Sequence, residues 1–235
     1  MPTPSLTIEL AHTVAGHAAT SPRTIEVAGM FGIDPAGERE VVVVPPARLT
    51  LAPGRVIFIT GASGGGKSTL LRLIHDAITR QPAHDRPGVV RFDDLAPSDL
   101  CALVDGFDAD APLAEVLRWL SVAGLNDARV MLRRPGELSD GQRARLLLAH
   151  AIALAERGGA PWAVVLADEF GATLDRPSAR AVAAGVRKWA TRAGVCFVAA
   201  TTHDDLLEPL CPDTLIDKGP GEAIEVLERS TLPPV

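Results

Sequence analysis

The chain has 235 residues, 47% of them hydrophobic, so it can bury one substantial core but not a second large domain. Its formal net charge is −6, so the chain has no overall electrostatic attraction to a polyanion, and the charge does not indicate nucleic-acid binding. No apolar run approaches the roughly 18 residues of a membrane span, and the N-terminus lacks the basic and apolar regions of a secretory signal. We therefore expect a single domain over residues 1–235, located in the cytoplasm.

The first forty-odd residues contain short alternating or β-branched segments at 6–10, 24–27 and 40–44. Such segments favour strands, and we expect them to form an antiparallel β layer.

From residue 55 the pattern changes to wholly apolar strands that alternate with helical segments. The predicted strands are 56–60, 163–167 and 195–200, and the predicted helices include residues 70–78, 113–120 and 146–155. Strands that are apolar on both faces are typical of a parallel sheet with helices on each side. The predicted fold class is α/β.

A glycine-rich segment follows the first apolar strand and opens the next helix. It consists of Gly61, Ala62, Ser63, Gly64, Gly65, Gly66, Lys67 and Ser68, with Thr69 next. Glycines let the backbone bend around phosphate oxygens and turn its N–H groups inward, and the helix N-terminus adds a favourable dipole. A glycine-rich turn alone would fit an ordinary loop, but this strand–loop–helix context predicts a P-loop. Lys67 would reach the β- and γ-phosphates, and Ser68 would bind Mg²⁺.

Two carboxylates, Asp168 and Glu169, follow the strand at 163–167. A P-loop enzyme needs an acid at such a strand end to hold Mg²⁺, which we assign to Asp168. Glu169 is placed to polarise an attacking water. The alternative is a solvated acidic pair at a strand end, which the upstream P-loop disfavours.

The segment that narrows the choice among P-loop families comprises Leu138, Ser139, Asp140, Gly141 and Gln142. It resembles the LSGGQ signature of ABC ATPases and differs only by Asp140 in place of glycine. Ser139 and Gln142 also fit a helix capping box. Both interpretations can hold, since a capped helix N-terminus is itself an anion site.

The order of segments continues to resemble the ABC family. Residues 170–175 are similar to its D-loop, and His203 follows the strand at 195–200, where the family has its switch histidine. Alternatively, Asp175 could simply cap a helix and His203 could be structural.

The resemblance covers roughly residues 49–215. It implies a parallel core sheet, an antiparallel β subdomain and a small helical subdomain at approximately 106–158. It also implies ATP and Mg²⁺ as cofactors and a head-to-tail homodimer on ATP binding. Each site would combine Lys67, Ser68, Asp168, Glu169 and His203 of one subunit with Ser139 and Gly141 of its partner. Asp140, Gln142 and Asp175 are further nucleotide-binding candidates.

Two positions depart from the family pattern. The glutamine loop is expected near residues 102–106, where the chain offers Asp105 as a metal-binding candidate and no glutamine. The chain also has no tyrosine to stack on adenine, so Phe31 is our candidate, with Arg48 as the alternative.

Three functions remain open. The first is a soluble ABC-class ATPase that acts on an unknown macromolecular partner, which Asp105 and the short stretch from residue 105 to 138 favour. Several segments also resemble a soluble branch of the family that is sometimes fused to an acetyltransferase domain. The second is the ATP-binding subunit of a transporter, with a membrane permease as its partner. The third is a P-loop small-molecule kinase, which would not explain residues 138–142 or His203.

Overall fold

The computed structural model describes residues 4–16, 21–34, 39–219 and 223–229. Its strands are β1 (Leu6–Gly16), β2 (Arg39–Leu51), β3 (Val56–Thr60), β4 (Gly88–Arg91), β5 (Ala163–Ala167), β6 (Val195–Ala200), β7 (Thr214–Asp217) and β8 (Glu225–Glu228). Its α-helices are α1 (Pro22–Met30), α2 (Lys67–Thr79), α3 (Leu113–Val122), α4 (Ala128–Met131), α5 (Asp140–Arg157), α6 (Arg176–Ala193) and α7 (Leu207–Leu210).

A six-stranded sheet forms the centre of the fold, with strand order β4-β5-β6-β3-β7-β8. All neighbours in it are parallel except β7 and β8, which pair antiparallel. The three strands predicted from wholly apolar runs are β3, β5 and β6, and they occupy the centre, where both faces are buried. The predicted α/β fold class is confirmed.

Each face of this sheet packs into its own hydrophobic cluster. On one face, α2 covers β3 and β6 through Leu70, Ile74 and Ile78, all fully buried. On the other face, α5 and α6 pack on the same strands together with the fully buried indoles of Trp119 and Trp189. Residues from α3 and α5 belong to this second cluster, so the helical region between β4 and β5 is packed directly against the sheet.

The antiparallel layer is a two-stranded sheet in which β1 pairs with β2. The strand predicted at 24–27 is wrong, because these residues lie in α1. The Ser21 hydroxyl accepts a hydrogen bond from the backbone N–H of Thr24, the Thr24 hydroxyl oxygen accepts one from the backbone N–H of Ser21, and Pro22 occupies the first helical turn. These helix-start features outweigh the β-branched side chains that suggested a strand.

One carboxylate, that of Glu156, joins three helices on the second face. Both of its oxygens accept from the Arg118 guanidinium. The indole N–H groups of Trp119 and Trp189 also donate to it, each over 2.8 Å. Since these partners lie on α3 and α6, Glu156 of α5 holds the helical region to the core.

Within the described ranges, no helix is both long and apolar enough to cross a lipid bilayer.

Candidate nucleotide-binding site

The glycine-rich segment forms a tight loop between β3 and α2. Gly61, Gly64 and Gly66 all have positive φ, a conformation that side-chain-bearing residues rarely adopt. At Gly61, a Cβ would also lie only 2.0 Å from the backbone oxygen of Lys218. Glycine at position 61 is therefore required by both conformation and close packing.

The first turn of α2 opens at this loop. Gly66 is its N-cap and supplies no side-chain hydrogen bond to the helix. The N–H groups of a first turn lack intrahelical partners, so they and the positive end of the helix dipole are available to an anion.

Lys67, the first residue of α2, folds its side chain back over the loop. Its ammonium donates to the backbone oxygens of Gly61 and Ala62, each at 2.8 Å. These are neutral acceptors, and a phosphate oxygen would form stronger, charge-assisted hydrogen bonds with the same ammonium. Lys67 can therefore exchange backbone partners for phosphate.

Asp168 and Glu169 lie at the carboxyl end of β5, as the sequence predicted. The Asp168 carboxylate accepts a hydrogen bond from the backbone N–H of Glu169, at 2.9 Å. Glu169 is exposed and has φ 48°, a left-handed conformation that costs a residue with a side chain about 1–2 kcal/mol. The chain thus keeps a strained backbone at a carboxylate that projects from the end of a central strand.

The P-loop and the two carboxylates line a single cleft of about 430 Å³. Its lining residues are Ser63, Gly64, Gly66, Lys67, Ser68, Thr69, Asp168, Glu169, Ala172, Thr201 and Thr202. The sequence analysis missed Ala172, Thr201 and Thr202 as site residues. The signal for the two threonines was available, because they directly follow β6 at the sheet edge where ligands collect.

The cleft has the donor chemistry that Mg²⁺ prefers. The Ser68 hydroxyl and the Asp168 carboxylate both supply hard oxygen ligands on its wall. Nowhere in the part of the chain that the structure describes do three or more His, Cys, Asp or Glu side chains form a metal-binding group. A metal in this cleft would therefore need further ligands from phosphate oxygens and water, as Mg²⁺ in phosphate-transfer sites has.

The signature residues begin α5 and do not line this cleft. The Ser139 hydroxyl accepts from the Gln142 N–H at 3.3 Å, and the Gln142 side chain accepts from the Ser139 N–H at 3.1 Å. This is the capping box considered from the sequence. Ser139 and Asp140 are both exposed, so the N-terminus of α5 faces solvent in the isolated chain. Gly141 packs against the turn that follows Glu169, where a Cβ would lie 3.1 Å from the Thr173 oxygen.

Asp175 is the N-cap of α6, which was the structural alternative for it. Its carboxylate accepts from the Ser178 N–H at 2.9 Å, and this hydrogen bond lowers the pKa of Asp175. His203 follows the two lining threonines but is not itself among the residues that line the cleft. Its backbone N–H donates to the Thr201 hydroxyl at 3.3 Å.

Two other candidates also lie outside the cleft lining. Phe31 ends α1 with 74% of its surface exposed, and Asp105 is exposed at the end of a short 3₁₀ helix. The segment that follows a strand in this region is instead Phe92–Asp94, directly after β4. Asp93 lies there in a groove shared with Asp168 and Glu169. The sequence analysis missed Asp93 because β4 contains only two apolar residues.

Known proteins resemble this chain in sequence and fold. The family model described as ABC transporter matches residues 44–94, from β2 to the segment after β4. The lipoprotein-releasing system ATP-binding protein LolD of Anaeromyxobacter dehalogenans is 29% identical over 86% of this chain and 92% of its own length. The phosphonates import ATP-binding protein PhnC of Hyphomonas neptunium is 28% identical, over 83% and 87%.

Among solved structures, the dimeric post-hydrolysis ATP-binding cassette MJ0796 bound to ADP and Pi superposes with a TM-score of 0.62. It is 20% identical and is matched over 82% of this chain and 93% of its own, so the two share a fold. These comparisons agree with the motifs found in the sequence. The family model matches the P-loop region, the relatives align over most of the chain, and the solved structure shares its fold. The chain is similar to ABC ATP-binding proteins over most of its length, and it has the fold of an ABC nucleotide-binding cassette.

Proposed function

We propose that the protein binds MgATP in the cleft between the P-loop and β5 and hydrolyses it to ADP and phosphate. One observation carries this proposal: Lys67, Ser68, Asp168 and Glu169 all line a single cleft at the carboxyl ends of the central strands. A cation, a hydroxyl, a metal-binding carboxylate and an exposed carboxylate are the groups that phosphoryl transfer to water requires.

Each of these side chains has a separate task in the reaction. Lys67 leaves its two backbone acceptors and binds the β- and γ-phosphate oxygens. Ser68 and Asp168 would hold Mg²⁺, which when bound would neutralise phosphate charge. Glu169 orients a water and accepts its proton as the water oxygen bonds to the γ-phosphorus. The bond from that phosphorus to the bridging oxygen breaks, leaving ADP and phosphate.

The exposed N-terminus of α5 supports a shared site in a head-to-tail homodimer. Ser139, Asp140, Gly141 and Gln142 do not line the chain's own cleft, although their helix start suits an anion. We propose that they contact the γ-phosphate bound by a second copy, with Asp175 and His203 near the same junction. ATP then acts as the bridge between subunits, so dimerisation should depend on it.

We propose that this dimer uses ATP hydrolysis to act on a macromolecular partner. Our first candidate is a soluble assembly, because the chain lacks a glutamine both at Asp105 and in the Phe92–Asp94 segment after β4. The relatives favour the second candidate, the ATP-binding subunit of a transporter. LolD is named for lipoprotein release and PhnC for phosphonate import. In both cases we propose a location in the cytoplasm, where ATP is supplied.

The experiment that tests the proposed function measures MgATP binding and phosphate release for the parent protein and for Lys67→Ala. Loss of a charge-assisted contact of about 1.5–3 kcal/mol should weaken ATP binding by about 10–100-fold. Lys188→Ala is the matched control, because Lys188 is an exposed lysine on α6 outside the cleft. Equal ATP binding by the parent and Lys67→Ala would contradict the proposal.

A second experiment separates the two kinds of partner. Glu169→Gln protein, held in the ATP-bound state, is used to capture partners from detergent-solubilised cell membranes and from the soluble fraction. Recovery of one integral membrane protein in an ATP-dependent manner supports the transporter. Recovery of a soluble assembly alone supports the first candidate.

A further inference from the structure

Arg176 occupies a position that its helix disfavours. It is the first residue of α6, directly after the N-cap Asp175. The N-terminal end of a helix carries partial positive charge, so a cation in its first turn is unfavourable by up to about 1 kcal/mol. Departures from such local preferences tend to occur where a residue has another task.

The Arg176 guanidinium joins two loops that border the nucleotide cleft. Its Nε and Nη2 atoms donate to the two carboxylate oxygens of Asp205, at 3.0 and 2.5 Å. Its Nη1 donates to the backbone oxygen of Gly171 at 3.4 Å. Gly171 is two residues after Glu169, and Asp205 is two residues after His203. The guanidinium thus ties the turn that follows the proposed base to the loop that carries the histidine.

The same two loops are in contact at two further points. The Phe170 N–H donates to the Ala200 oxygen at 2.9 Å, at the end of β6. Gly171 also lies against Leu206, because a Cβ at position 171 would be 3.0 Å from the Leu206 Cδ1. The backbones of the two loops therefore pack against each other without Arg176. The Arg176 guanidinium adds directional hydrogen bonds between them, to the Asp205 carboxylate and to the Gly171 oxygen.

The end of β3, just before the P-loop, is also bound to the loop that carries His203, next to the Arg176–Asp205 pair. The Thr60 hydroxyl, at the end of β3 just before the P-loop, donates to the carboxylate of Asp204. Asp204 lies between His203 and Asp205 in the chain. The short segment 203–205 is therefore held from one side by the P-loop strand and from the other by α6, where Arg176 binds the Asp205 carboxylate and Arg180 donates to the Asp205 backbone oxygen at 2.7 Å.

Stability does not account for this arrangement. The Arg176 and Asp205 side chains are 37% and 38% exposed, and exposed ion pairs contribute about 0–1 kcal/mol. The unfavourable helix position offsets part of even that. Arg176 holds the pKa of Asp205 below its usual value, so the pair stays ionised at neutral pH.

We propose that Arg176 is a positioning residue for ATP hydrolysis, which holds the His203 loop in register with Glu169 through its fork to Asp205 and its bond to Gly171. This role rests on the proposed ATPase function. Small displacements of reacting groups lower the rate of the chemical step more than they lower substrate binding. Loss of the link should therefore reduce turnover while ATP binding by the P-loop is retained.

The test compares Arg176→Gln, Asp205→Asn and the double variant with the parent chain. We expect single-turnover hydrolysis at saturating MgATP to fall about tenfold in each. The dissociation constant for MgADP should change less than about twofold, and the melting temperature by less than about 4 °C. Because Asp205→Asn weakens only contacts that Arg176→Gln also removes, the double variant should be no slower than Arg176→Gln. Arg176→Lys, which keeps the charge, should recover part of the rate.

Asp110→Asn is the matched control. It breaks the Arg157–Asp110 pair, in which an arginine of α5 binds an exposed carboxylate away from the 203–205 segment. The positioning role is overturned if Arg176→Gln turns over within about twofold of the parent. It is equally overturned if Asp110→Asn slows as much, or if the two single losses multiply in the double variant. If the parent protein shows no ATP turnover, or turnover that persists in Lys67→Ala, the ATPase proposal is overturned and the positioning role with it.

Discussion

Replacing Glu156 by glutamine should loosen the attachment of the helical region to the core. The native carboxylate has two equivalent acceptor oxygens, and each accepts from one Arg118 nitrogen and one indole N–H. A glutamine amide has one acceptor oxygen and one donor nitrogen. Whichever way the amide is turned, the N–H of either Trp119 or Trp189 faces another donor.

The size of this effect follows from the burial of the partners. The two tryptophans are 0% and 1% exposed, so an indole N–H left without an acceptor has no access to water and costs about 1–3 kcal/mol. The partly exposed Arg118 pair contributes at most about 1 kcal/mol more. Removing the desolvated charge of Glu156 offsets part of the sum. We expect a net loss of about 2 kcal/mol.

Thermal unfolding followed by circular dichroism measures this loss. For a chain of this size, 2 kcal/mol lowers the melting temperature by about 4–8 °C. Glu9→Gln is the control, because Glu9 pairs with Arg48 at the surface with side chains 79% and 74% exposed. It should shift the melting temperature by less than about 2 °C. An unchanged melting temperature for Glu156→Gln would refute the role assigned to this carboxylate.

The pH dependence provides an independent check of the same reasoning. Burial alone would raise the pKa of Glu156, but the hydrogen bonds from Arg118, Trp119 and Trp189 bring it below its ordinary value. A carboxylate with a lowered folded-state pKa stabilises the protein above its unfolded pKa and loses that contribution as the pH falls through the folded one. The difference between parent and variant should therefore be full at pH 7 and shrink as the solution is acidified below about pH 4.5. A difference that grows on acidification would contradict this sign.

The remaining predictions concern the nucleotide site. Glu169→Gly should leave the melting temperature unchanged or higher, since glycine removes the left-handed strain, while turnover falls at least about 100-fold; a lower melting temperature would refute the strain argument. Asp140→Asn should tighten the ATP-bound dimer in sedimentation equilibrium by about 1 kcal/mol per site, because a carboxylate at the start of α5 repels phosphate; a weaker dimer would contradict this. Ser139→Ala should lower turnover but leave ATP binding by the monomer intact, and calorimetry showing lost monomer binding would mean that Ser139 acts only as a cap.

The strongest sequence signals came from short runs of consecutive residues whose composition itself indicates the structure they form. The strands β3, β5 and β6 were predictable because a strand buried on both faces must be wholly apolar. The P-loop was predictable because its glycines satisfy a backbone conformation that few other residues adopt. Asp168 and Glu169 followed, since ligands collect at the ends of such strands.

The parts that could not be predicted depend on partners distant in the chain. The strand β4 has four residues, and only its pairing with β5 identifies it as a strand, so Asp93 was not recognised beside the carboxylates. Arg176 and Asp205 are 29 residues apart, and no sequence period connects them. At α1 the signals conflicted, and β-branched residues were given more weight than the helix start at Ser21 and Pro22.

The central claim is that ATP joins two copies of this chain through the N-terminus of α5. The most direct test is the light-scattering mass of Glu169→Gln with and without MgATP, because slowed hydrolysis should keep the ATP-bound state populated. The account predicts a monomer of about 24.7 kDa without nucleotide and a doubled mass with it. Ser139→Arg in the same background should stay monomeric, since its bulk and capping defect block the shared contact. A mass that remains monomeric in Glu169→Gln despite measured ATP binding would contradict the claim.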